Sequence, residues 1–194
     1  GSMTYQPTDI SDDQNTLPKL PAWVTSGRPK TPEDVAFLSG AALNHLHLVL
    51  ARAEVPKALL RDRLVLRAAE ACVAFSGRPE RGGELRDAVY LLRPGDLPGP
   101  AGETYLAWQR AAERPVSIKV LDRALPTIEP GQIATWLDAG KGAPVTRAVM
   151  VLEAVLREAP REDLAALILS DAALALAVGW AHLAPMLAPG LKRA

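Results

Sequence analysis

A chain of 194 residues, 48% hydrophobic but only 5% aromatic, is long enough for one domain with an aliphatic core of Leu, Ala and Val. Lys plus Arg and Asp plus Glu balance at 22 each, so the basic excess with which nucleic-acid binders usually neutralise phosphates is absent. The single cysteine, Cys72, excludes an intrachain disulfide and fits a reducing cytoplasm.

Gly1 and Ser2 ahead of Met3 read as an expression scar, and the residues that follow lack the basic-then-apolar pattern of a signal peptide. Residues 1–20 are polar, with Asp9, Asp12 and Asp13 close together and no apolar period, and are predicted to be a disordered tail. Pro18, Leu20, Pro21 and Trp23 suggest an extended strap at the edge of a single helical domain covering 21–194.

The first helix is predicted from an N-cap at Thr31, with Pro32 at the first helical position and Asp34 completing a capping box, and runs to about Arg52. A very short link, Ala53 to Val55, leads to a second helix opened by Pro56 and closed at Gly77, which makes the pair an antiparallel hairpin. A third helix covers Glu84 to Leu92 and is stopped by Arg93-Pro94-Gly95. A fourth spans Ala101 to Glu113, a fifth is capped by Ser117 and ends near Pro126, and a sixth starts at Glu129-Pro130 and ends at Gly140. Pro144 opens a seventh helix to Glu158, and a tight link at Ala159-Pro160 leads to an eighth ending at Val178. A last short helix is expected over Trp180 to Leu187. No segment alternates with period two, so no sheet is predicted. The fold class expected is all-α: an irregular bundle or short solenoid-like stack of antiparallel helical hairpins with about eight to nine helices.

Two helices carry unusual wheels. On the second, Arg63, Arg67 and Glu70 share a narrow arc, opposite Leu60, Leu64, Val65, Leu66, Cys72, Val73 and Phe75, which predicts a central position. The eighth is apolar on both sides, with Leu164, Leu167, Ile168 and Val178 opposed to Leu169 and Leu176. The stretch Leu164–Leu187 is the most apolar in the chain, but Asp171, His182 and Pro185 interrupt it, so a buried helix is the better reading than a membrane span.

Asp171 falls on the apolar wheel of the eighth helix, where an unpaired carboxylate would cost several kcal/mol or take up a proton. The functional reading is an acid or base with a raised pKa. The plainer readings pair it with Arg67, Arg147 or a backbone amide, or make Ser170 or Asp171 the cap of a new helical segment. His45 and His47 are two apart on one helix and point about 200° apart, so they cannot share a metal. His47 falls among Ala36, Gly40 and Ala51, a smooth face that permits close helix approach. His182 lies far away in sequence, no ligand spacing joins any histidine to Glu70, Cys72 or Asp171, and no metal or other cofactor is expected. Cys72, on an apolar helix face, is a poor nucleophile. Gly95, Gly99 and Gly102 precede a helix N-terminus without a strand before them, and Gly140-Lys141-Gly142 lacks the hydroxyl residue of a P-loop, so both read as turns.

Residues 117–139 have the outline of a helix-turn-helix. Its second helix would present Gln132, Thr135 and Asp138, which carry no cation for phosphate anchoring, and only Lys119 and Arg123 lie on the first.

Four strings together carry a resemblance: Thr31–Leu43, Arg63–Glu70, Leu92–Gly102 and Asp171–Leu174 before Gly179-Trp180. In order and content they resemble a bacterial family of unknown function, the one numbered 1403, over roughly residues 20 to 191, with the string Arg93-Pro-Gly-Asp-Leu-Pro-Gly-Pro-Ala-Gly102 the most specific part. The resemblance implies a bacterial, cytoplasmic setting and no catalytic residues. It also implies a shorter or truncated member, since others extend past the equivalent of Ala194.

The function expected is a non-enzymatic helical interaction or regulatory module, binding another protein or itself and no membrane. The C-terminal apolar stretch and the exposed-looking Trp108 and Trp136 are the candidate interface, with core packing the commoner fate of a tryptophan. The alternatives are a DNA-binding regulator using 117–139, and an enzyme or ligand binder built around Asp171, Arg63, Arg67, Glu70 and His45.

Overall fold

The computed structural model describes residues 19–26, 28–52 and 55–191. The expected tail up to residue 18 and most of the link Ala53–Val55 lie outside them. Among the described residues there is no strand, and nine α-helices follow in order: α1 Ala22–Ser26, α2 Pro32–Ala51, α3 Lys57–Phe75, α4 Gly82–Tyr90, α5 Gly99–Ala112, α6 Ile118–Ala124, α7 Pro130–Asp138, α8 Pro144–Glu158 and α9 Asp163–Val178. By its contacts the chain divides into Gly1–Lys57 and Ala58–Ala194.

In the first unit, the strap expected around Trp23 is instead a one-turn-plus helix, α1, and Trp23 stacks on Phe37 of α2 with ring centroids 5.6 Å apart. The start of α2 is the predicted one: the Thr31 hydroxyl accepts from Asp34 N at 3.1 Å, and the Asp34 carboxylate accepts from Thr31 N at 3.2 Å. Thereafter α2 carries no Asp, Glu, Lys or Arg from Val35 to Ala51, yet none of its residues is buried. Among the described residues it is the one helix long and apolar enough to cross a membrane, with a mean hydropathy of 1.3.

The second unit is organised around α9. Every residue from Ala165 to Ala175 is buried, so this helix is covered on all sides, as its two-sided apolar wheel predicts. Its small residues let α8 approach, and α8 with α9 is the most extensively packed helix pair, closed by a turn at residues 159–162. The Ser170 hydroxyl, buried at this contact, donates to Ala148 O of α8 at 2.6 Å rather than capping a new segment. Around them α4, α5, α6 and α7 pack in sequential pairs.

The second helix of the sequence reading is not central. On α3, Val65, Ala68, Ala69 and Val73 are buried while Leu59 and Phe75 are exposed, so α3 buries one stripe only. The wheel overstated its burial because an apolar surface signals a core position only when other elements exist to cover it.

The expected helix over Trp180–Leu187 does not form. Gly179 adopts a left-handed φ of 75°, and Trp180 N donates back to Ala175 O at 2.9 Å, which closes α9. Pro185 has no N–H for a helical ladder, and the amides that follow it are taken by Asp171. Upstream, Ala181 O accepts from Val116 N at 2.8 Å, tying this irregular segment to the α5–α6 connection. The chain regains a single 3-10 turn at Ala188–Gly190.

The Leu92–Gly102 string shapes the junction between α4 and α5. Gly95 and Gly99 sit at φ 93° and 68°, values that L side chains rarely adopt. A Cβ on Gly102 would come within 2.6 Å of Pro98 Cβ and 3.6 Å of Ala88 Cβ, so only glycine lets α5 start against α4 here.

Candidate functional site

Asp171 lies in the middle of α9, 1% exposed. Its Oδ2 accepts the backbone N–H of Met186 at 3.1 Å and of Leu187, more weakly, at 3.4 Å, while Oδ1 has no partner. Of the partners weighed from sequence, the backbone amide is the one adopted. Arg147 is instead engaged with Gly142 O, its Nε at 2.7 Å. Burial pushes the Asp171 pKa up to about 7, and the two amides oppose that rise. The group clamps the irregular C-terminal segment onto the central helix.

Beside it, a cavity of about 340 Å³ is walled by Cys72 of α3, Thr104 of α5 and Leu167 of α9, with the exposed Arg161 and Asp163 also lining it. Burial raises the Cys72 thiol. The indole N–H of Trp108 approaches the sulfur and tempers that rise without reaching hydrogen-bond geometry, and the charges of Asp171 and Asp163 add to it. Cys72 is therefore a protonated thiol.

A third feature runs between α3, α4 and α5. A groove of about 470 Å³ is lined by Arg63 of α3, Arg86 and Tyr90 of α4, and Tyr105 of α5, over an apolar surface from Leu59 and Leu66. It adjoins a second hollow of about 240 Å³ that shares Asp62 and Tyr90 and adds Arg61 and Gln109. Gln109 Nε2 donates to Tyr90 Oη at 3.3 Å, and the Tyr90 phenol lies close to that of Tyr105. Burial, then the Tyr90 contact, raise the Tyr105 pKa to about 12, with Asp62 adding to the rise and Arg86 opposing it. Among the described residues Arg63 and Arg86 make no ion pair; the one recorded pair, Arg123 with Glu113 at 3.3 Å, lies on exposed side chains. Arg61 also faces His182, whose pKa is lowered first by burial and then by that cation.

The residues singled out from sequence are thus dispersed. Arg63 lines the groove, Arg67 is exposed outside it, and Glu70 is half-buried near the start of α4, its Oε2 within 3.8 Å of where a Gly82 Cβ would stand. Asp171 is sealed in the core, and His45 is half-buried on α2 in the other unit. Trp108 and Trp136, the candidate interface anchors, are instead buried, at 0% and 4% exposure, the core reading that was the alternative. Each occupies the covered face of an amphipathic helix, where a large ring removes most apolar area from water. Trp136 keeps its indole N–H satisfied by donating to Glu158 Oε2 at 2.8 Å. That same carboxylate accepts from Gln132 Nε2 at 3.0 Å, so the glutamine weighed as a base-reading residue is held by α8.

Sequence reasoning missed Arg86, Tyr90 and Tyr105. Arg86 and Tyr90 lie one turn apart on α4, but Arg63 comes from α3 and Tyr105 from α5, so no local spacing joins the set.

No metal-ligating group of three or more His, Cys, Asp or Glu occurs among the described residues. No curated protein and no solved structure matches the chain. A family model does match, over residues 8–194, under the description "Protein of unknown function (DUF1403)", and the chain belongs to that family.

Proposed function

We propose that the protein is a helical interaction module that associates with a second copy of itself through α2. The observation that carries this reading is the mismatch between the composition of α2 and its burial. A helix of 20 residues is about 30 Å long, and this one is free of charged side chains from Val35 onward without burying a residue. Exposed Phe37 and Leu48 leave apolar area in water at a cost of roughly 25 cal/mol per Å², and such a surface is characteristic of contact sites.

A second copy is favoured over another partner for two reasons. The complement of a charge-free apolar helix is another such helix, and among the described residues α2 is the one that combines that length and apolarity. Gly40 also has open space where its Cβ would be, and with Ala36 it forms a small-residue face that lets two backbones approach closely.

Sedimentation velocity across a concentration series tests the reading. The expected result is a dimer that both Gly40→Leu and Leu48→Glu dissociate while helical content is retained. A strict monomer at every concentration overturns it. So does flotation of the protein with lipid vesicles, which would make α2 a membrane segment.

A further inference from the structure

We propose that the groove between α3, α4 and α5 is a binding site for a flat aromatic ring carrying a phosphate group, of the kind a nucleoside monophosphate presents. All of its lining residues belong to the second unit, and its test does not rest on how α2 associates.

Its chemistry divides into two parts. Arg63 and Arg86 line one hollow from two different helices, and among the described residues neither is committed to an ion pair. Guanidinium groups offer forked N–H donors that match the geometry of phosphate oxygens, and two of them converging from separate elements suit a doubly charged anion better than a single carboxylate. Asp62 shares the hollow, so with the two arginines the local charge is +1, which attracts an anion.

The second part is apolar and aromatic. Tyr90, 65% exposed, stands beside Leu59 and Leu66 and offers a planar base a ring to stack on, while the buried Tyr105 borders the groove beneath. The phenols are held before any ligand arrives, because Tyr105 is buried and the Tyr90 hydroxyl accepts from Gln109. A volume of about 470 Å³ holds a ligand of nucleotide size.

Isothermal titration calorimetry with adenosine monophosphate, adenosine and inorganic phosphate, each against the intact chain, tests the proposal. Adenosine monophosphate should bind about tenfold or more tighter than either component alone. The double variant Arg63→Gln/Arg86→Gln should lose that advantage and keep the weak affinity for adenosine. Tyr90→Ala should weaken adenosine and adenosine monophosphate together, and Tyr90→Phe should restore both. Arg63, Arg86 and Tyr90 are exposed, so these variants leave the fold intact, which a thermal melt verifies. Equal affinity for inorganic phosphate and adenosine monophosphate would overturn the aromatic part. Unchanged binding in the double arginine variant, or no binding of any probe, would overturn the site.

Discussion

The carboxylate of Asp171 holds the backbone N–H of Met186 at 3.1 Å, fastening the segment after α9 to the centre of that helix. A charged side chain inside an apolar helix is thereby used as an anchor for a stretch of chain that cannot be helical past Pro185.

That anchor has a pH signature. The folded-state pKa of about 7 lies above the ordinary aspartate value of 3.8, so the folded chain binds this proton more tightly than the unfolded chain. The stability contributed by this proton is complete below the unfolded value, falls as pH rises, and is lost above about pH 7. By linkage the swing is on the order of 4 kcal/mol. Urea midpoints of the wild type and Asp171→Asn measured from pH 5 to 8 should diverge in slope, the wild type losing stability relative to the variant as pH rises. Parallel curves would show that Asp171 titrates at its ordinary value.

Glu158 joins α8 to α7 by accepting from both Trp136 Nε1 and Gln132 Nε2. Removing it leaves a buried indole N–H without an acceptor, which costs roughly 1–3 kcal/mol. Glu158→Ala should therefore lower the denaturation midpoint more than Glu158→Gln, whose amide oxygen can still accept. Equal loss in the two variants would mean that the charge, and not the acceptor, matters.

Two glycines near α4 should respond in opposite ways to alanine. Gly102→Ala places a Cβ 2.6 Å from Pro98 Cβ and should destabilise by about 1–3 kcal/mol. Gly83→Ala has open space and lies within a helix, so it should be neutral or gain up to about 1 kcal/mol. Thermal melts of the pair test the close approach of α5 to α4, which predicts a clear difference in Tm between them.

The central position of α9 makes a similar contrast along one helix. Leu169 is fully buried and Leu176 is half exposed. Leu169→Ala should cost about 2–5 kcal/mol through lost burial and the cavity left behind, and Leu176→Ala well under half of that. Comparable losses at the two sites would show α9 to be covered on one side only.

Much of the fold was legible because helix ends are local. Thr31 with Asp34, Ser117 before Ile118, and Pro130 and Pro144 at first helical positions each mark a boundary through a neighbour a few residues away. The two-sided wheel of α9 likewise announced its burial. The candidate groove was not legible, because Arg63, Arg86, Tyr90 and Tyr105 come from three helices and share no local pattern.

The sequence by itself determined an all-helical chain, most of its helix starts and the helix at its centre, since capping, proline stereochemistry and apolar periodicity act over a few residues. Only the tertiary structure decided which apolar residues are covered and which polar ones meet. Trp108 and Trp136 went inside, α3 buried only one stripe, and Asp171 found its partners 15 and 16 residues away in a segment that sequence had read as helix. Burial and hydrogen-bond satisfaction depend on which elements arrive from elsewhere in the chain, and no local pattern encodes that arrival.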